Sequence, residues 1–242
     1  MSLYVYGVIR AATALPAELR GVGQPPQPVR RLTAGKAAVV VSTAPDRLRA
    51  TRRDLQAHQE VQLALCAAGP LLPTRFGVVA PDRDRLREQV SAAAADYLAA
   101  LDRVAGHIEM NVKAAPVESG LASLVRDDPR VRQAREHSRR SPSMEADLRL
   151  GEAVVAGLRN RAETAAAAVR TALQALAADV RDGPQLAEYV LNASFLVPAG
   201  GAARFRSAAR DLAREHAERA AVTVTGPLPC YSFADLPAPA RA

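Results

Sequence analysis

Residues 144–180 constrain this chain more than any other stretch. Leu148, Val155, Leu158, Ala162, Ala165, Val169, Ala172 and Leu176 recur there at steps of three and four, and Gly151 fills one step. That spacing sets them along one side of a helix, as a heptad seam of mostly small side chains. Alanine is the best helix former, so propensity and pattern agree. At 1.5 Å per residue the helix would run on the order of 55 Å. A helix of that length must bury its seam, most simply in a hairpin with residues 117–140. Asp182-Gly183-Pro184 supplies the stop.

Around this helix the pattern changes to strands and shorter helices. "LYVYGVIR" (3–10), "AAVVVST" (37–43), "HIEMNVK" (107–113), "YVLNASFLVP" (189–198) and "AVTVTGPLPCYSF" (221–233) read as strands. They are rich in β-branched or aromatic residues, and Ile108, Met110 and Val112 alternate with polar neighbours. "LLPTRFGVV" (71–79) is extended, with Pro73 restricting it to an edge, a strand start or a bulge. Helical spacing returns over 51–68, over 81–104 and over 201–220, while "GVGQPPQPVR" (21–30) is a loop. The arginine-rich stretch 126–143 reads as a loop or a weak helix pair. The fold class is therefore α+β, in two halves, each a small sheet with helices on one face. The boundary falls near Gly106, giving domains 1–105 and 106–242, with the long helices at about 117–180.

Composition narrows the function classes. The net charge is +7, and Lys36 and Lys113 are the only lysines, so the positive charge is arginine. A basic chain attracts anionic partners. Here the arginines are interleaved with acids, as in "DRDRLREQ" and "RDLAREHAER", which is the pattern of a solvated face. A nucleic-acid-binding module is the alternative reading, with Tyr4, Tyr6, Phe76, Tyr189 and Phe195 as stacking residues. The basic-aromatic signature of that class is missing. No apolar run of 18 residues suggests a membrane span, and nothing at the start reads as a signal peptide, so a cytoplasmic protein is expected.

Reactive constellations are equally sparse. The histidines, His58, His107, His137 and His216, have no His or Cys at metal-ligand spacing, and Cys66 and Cys230 stand alone. His107 and Glu109 share a strand face, which makes two groups and not a site. Neither a nucleophile elbow nor a phosphate-binding glycine loop occurs. The expectation is a non-enzymatic protein with no cofactor, no metal and no small-molecule substrate.

Five segments, taken in order, resemble the GvpL/GvpF family of gas vesicle proteins. They are Tyr4-Val5-Tyr6-Gly7, Leu71 to Val79, Met110 to Ala114, Asn192 to Pro198, and Gly226 to Phe233. Cys230 stands where the family more often has a second proline. The resemblance implies a small N-terminal α/β domain and a C-terminal modified ferredoxin-like domain carrying the long helices. It also implies a part in forming gas vesicles, the hollow protein-walled organelles that give buoyancy. The partners it implies are the small hydrophobic shell protein and other accessory proteins.

On that basis the candidate interaction residues are Leu71, Leu72, Pro73, Arg75, Phe76, Asn192, Phe195, Leu196, Pro198, Pro227, Tyr231 and Phe233. The sheet edges near 71–79 and 192–198 would accept another chain by strand addition. Arg75 either pins its segment through fixed hydrogen bonds to carbonyls or an acid, or points to solvent.

Overall fold

A computed structural model describes residues 2–234. The chain divides into two compact units, one of residues up to Glu109 together with those from Pro227 onward, the other of Met110–Gly226.

In the first unit, β1 (Leu3–Arg10) lies inside a sheet of order β2 (Arg30–Ala34), β3 (Ala37–Thr43), β1, β4 (Leu71–Pro73). The short β5 (Val79–Ala80) also pairs with β1, and every pairing is antiparallel. Helix α1 (Arg52–Ala68) packs on β1 and β4, while α2 (Arg83–Ala92) and α3 (Ala94–Val104) pack on β1 to β4. Tyr4 through Ile9 are buried without alternation, as befits a strand covered on both faces. This corrects the expectation of helices on one face only. The expected single helix over 81–104 breaks at Ala93. Strand β2 is an addition to the expected strands; its short alternation, Arg31 and Thr33 exposed with Leu32 and Ala34 buried, directly follows the Gly/Pro loop.

The second unit contains β6 (His107–Pro116, shared with the first), α4 (Leu121–Asp127), α5 (Pro129–Arg140), α6 (Met144–Gln174), β7 (Asp179–Asp182), β8 (Leu191–Pro198), α7 (Ala202–Glu215) and β9 (Ala220–Leu228). Its sheet order is β7-β8-β6-β9. Residues 126–143 are mostly helix: Asp128 caps α5 by accepting from Arg130 N at 2.8 Å, and Pro129 fills the first turn. Ser143 caps α6 through Ala146 N. Helix α6 packs on α4 and α5, as the hairpin expectation required, and also on β8 and α7.

Helix α6 stops at Gln174, short of the expected 180. Asp179–Asp182 instead pairs with Leu196–Ala193 of β8; Asp and Val are weak helix formers, and the ladder takes them. Strand β8 therefore has neighbours on both sides and offers no edge near 192–198.

Candidate interaction site

Three of the five motif segments meet in the first unit, around a bulge in β1. The register with β3 slips between Val5 and Gly7, leaving Tyr6 unpaired there. Thr74 N donates to Tyr6 O at 3.1 Å, and side chains add further bonds to the carbonyls around the bulge. Thr74 Oγ1 donates to Val5 O at 2.7 Å, and Gln62 Nε2 donates to both Tyr6 O and Thr74 O at 2.8 Å. Gln62 is fully buried, so each of these bonds replaces one that water cannot supply. Its Oε1 accepts from the Tyr231 hydroxyl, which brings the "GPLPCYSF" segment to the "LLPTRFG" segment. The turn Tyr231–Phe233 lies against β4.

Two tyrosines complete this network. Tyr6 OH bonds Ser42 Oγ at 3.0 Å and accepts from Val22 N at 2.9 Å. A Cβ at Gly21 would lie 1.8 Å from that hydroxyl, so only glycine fits there. Tyr4 OH meets His58 Nδ1 at 2.9 Å, and His58 Nε2 meets Thr74 O at 3.2 Å. A carbonyl only accepts, so Nε2 carries the ring proton and Nδ1 accepts from Tyr4. Burial holds His58 below its ordinary histidine value and therefore neutral, although the bond to Thr74 opposes this.

Glu109, placed by the strand alternation on one face with His107, is buried and turned to a different partner. Its carboxylate accepts from Ser232 N at 2.7 Å and from Ser232 Oγ at 2.8 Å. His107 Nδ1 instead lies 2.8 Å from Ala105 O. Burial, followed by the nearby Glu109 charge, pushes the Cys230 thiol up to about 12. It is no nucleophile at neutral pH. Among the described residues no group of three or more His, Cys, Asp or Glu gathers as a metal site.

The other two motif segments meet in the second unit. Asn111 Nδ2 is within 3.3 Å of Asn192 Oδ1 and Ala193 O, and Lys113 Nζ sits 4.7 Å from the centre of the Tyr189 ring. Phe195 stacks obliquely on Phe205, both fully buried.

Of the twelve expected interaction residues, Leu71, Leu72, Pro73, Phe195, Leu196 and Phe233 are buried, and Phe76, Asn192 and Tyr231 are half-buried. Only Arg75, Pro198 and Pro227 are exposed, so Arg75 takes the solvent-facing alternative. Tyr4, Tyr6 and Phe195 are likewise core residues and present no ring to a base, which removes the stacking platform of the nucleic-acid reading.

The apolar surface lies elsewhere. Met144, Leu148 and Val155 are 92%, 63% and 67% exposed, more than any other large hydrophobic among the described residues. With the exposed Gly151 they occupy an arc of about 60° on α6. Ala162, Ala166, Val169 and Leu173 repeat those four positions eighteen residues later, about five turns on, and all four are buried. One apolar stripe thus runs the length of α6, covered in its C-terminal half and bare in its N-terminal half. The expected seam contained Leu148 and Val155, but nothing in their spacing says that the covering layer ends before them.

A mixed α/β chain with two sheets, polar side chains spent on its own backbone and one bare helical stripe is the class these features define. The model of the gas vesicle synthesis protein GvpL/GvpF family matches residues 2–235, and the chain belongs to that family. It is 40% identical over 239 residues to gas vesicle protein F of Streptomyces sp. (strain CB03234), covering 97% of this chain and 100% of that protein. It is 25% identical to gas vesicle protein F of Dolichospermum flosaquae over 97% of this chain and 98% of that one. The crystal structure of the gas vesicle protein GvpF from Anabaena sp. PCC7120 has the same fold, with a TM-score of 0.80 over 98% of this chain and 99% of that one at 23% identity.

Proposed function

We propose that this chain is an accessory or minor structural protein of gas vesicle assembly, acting by binding the hydrophobic shell protein and other accessory proteins. Family membership supports the process. The observation that carries the binding role is the bare stripe of Met144, Leu148 and Val155. A contiguous apolar surface rimmed by charge is what a helper needs to hold a greasy subunit reversibly. The stripe is rimmed on its own helix by Glu145, Asp147 and Glu152.

In this reading the first unit is a small α/β domain. The second is a ferredoxin-like domain, in which α4 to α6 lengthen the first crossover of a β-α-β-β-α-β order. Most of the apolar motif residues build these two cores, and α6 makes the contact. The role is non-enzymatic, because the polar groups that converge are bonded to backbone or to one another. The site of action is the gas vesicle and its unassembled subunits in the cytoplasm.

The test is a dilution assay. Purified shell subunit is diluted from denaturant with and without an equimolar amount of this chain, and light scattering is followed. The wild-type chain suppresses scattering, and a Leu148→Glu/Val155→Glu variant with unchanged melting does not. Equal suppression by both, or none by either, would contradict the proposal.

A further inference from the structure

Each sheet has two outer strands, and three of these four edges are blunted. Strand β2 carries Arg30 and Arg31, both exposed. Strand β4 is three residues long, ends in Pro73 and is backed by the turn Tyr231–Phe233. Strand β7 reads Asp-Val-Arg-Asp. Charge, proline, shortness and covering are the means by which proteins keep edge strands from pairing.

The fourth edge, β9, uses none of them over the seven residues that belong to the second unit. Ala220–Gly226 reads "AAVTVTG", with no charged residue and four β-branched ones. Ala221, Thr223 and Thr225 are exposed, and Val222 and Val224 are half-buried. The strand ends the order β7-β8-β6-β9, with no further strand beyond it among the described residues.

From this contrast we infer that the β9 edge is a second docking site, taking an extended, uncharged, β-branched segment of a partner protein by strand addition. The occupant class follows from the edge itself. Unpaired N–H and C=O groups at the strand repeat are satisfied in register only by another extended backbone. The side chains add selection: small Ala and Thr side chains and half-buried valines tolerate alternating Val/Thr and offer no counter-charge to Lys or Glu. A second copy of this chain, pairing β9 with β9, is the competing occupant and is one of the outcomes of the test. This site is separate from the α6 stripe and does not depend on which protein that stripe binds.

The probe is an eight-residue peptide of alternating valine and threonine, with two lysines at each end for solubility and one terminal tryptophan. The chain has no tryptophan, so the peptide's fluorescence anisotropy is read without background. A control peptide carries N-methyl groups on alternate amides, which keeps its side chains and removes one row of donors.

The expected result is saturable binding of the first peptide and at least tenfold weaker binding of the methylated one. Thr223→Lys, which places a charge on the exposed edge, weakens the first peptide at least tenfold. Thr225→Lys serves as a second variant should the first melt early. Equal binding of the two peptides, no binding of either, or no effect of both lysine variants would overturn the inference. So would a wild-type dimer, seen by sedimentation, that Thr223→Lys turns into monomer, since the edge would then already be taken by a second copy.

Discussion

The two halves of α6 carry the same apolar arc and meet opposite fates. Ala162, Ala166, Val169 and Leu173 are buried, on a helix that packs on β8 and α7 as well as on α4 and α5. Met144, Leu148, Gly151 and Val155, five turns earlier on the same side, are exposed. The N-terminal half is anchored through another side: Ala146 and Gly157 are buried in the hairpin with α4 and α5. The helix therefore does not need the bare arc for its own fold. Helices in proteins derive most of their stability from a packed face, and this half already has one. An arc that stays apolar without being required for folding is available for a partner.

The largest expected effect is in the covered half. Leu173→Ala removes a fully buried side chain and should cost about 3 kcal/mol, read as a fall in denaturation midpoint at unchanged slope. A loss under about 1 kcal/mol would mean that this half is as loosely covered as the other.

Next comes the anchor of the bare half. A Cβ at Gly157 would lie 2.9 Å from Leu124 Cδ1, so Gly157→Val should overpack the α4 contact and cost about 2 kcal/mol.

A pH scan should act elsewhere. His58, in the first unit, is held below its ordinary 6.5, so its contribution is complete above that value and shrinks as pH falls from about 6.5 through its lower folded value. The slope from this one group is at most about 1.4 kcal/mol per pH unit. Tyr4→Phe, which takes away the donor to Nδ1, should change this slope, whereas Leu173→Ala should leave it unchanged.

The smallest effect is the most pointed. Val155→Ala should change stability by less than about 0.5 kcal/mol although the residue shares its arc with Leu173.

How much of this was legible in the sequence depended on whether the signal was local. The long helix, its hairpin partner and the strands around Tyr4, Val40, Met110 and Phe195 were readable, because periodicity is a property of the element itself. What the neighbours decide was not. Whether Leu148 is bare and Leu173 covered depends on how far the packed neighbours of α6 extend along it. Strand β7, Asp-Val-Arg-Asp, exists because β8 offers it a ladder, and nothing in those four residues alone announces a strand. The apolar motif segments were read as contact surface because local sequence cannot distinguish a buried strand from a greasy exposed one. Gln62 and Glu109 are not legible as network residues for a related reason. A buried polar residue is recognised only once its partners, here Thr74 and Tyr231 or Ser232, are known to be close in space.

The most direct measurement is hydrogen exchange along α6, read by mass spectrometry with and without purified shell subunit. Amides of residues 144–155 should exchange faster than those of 162–173 in the free chain, and shell subunit should slow the first set while leaving the second unchanged. Equal exchange in the two halves, or protection by the shell subunit that omits 144–155, would contradict this.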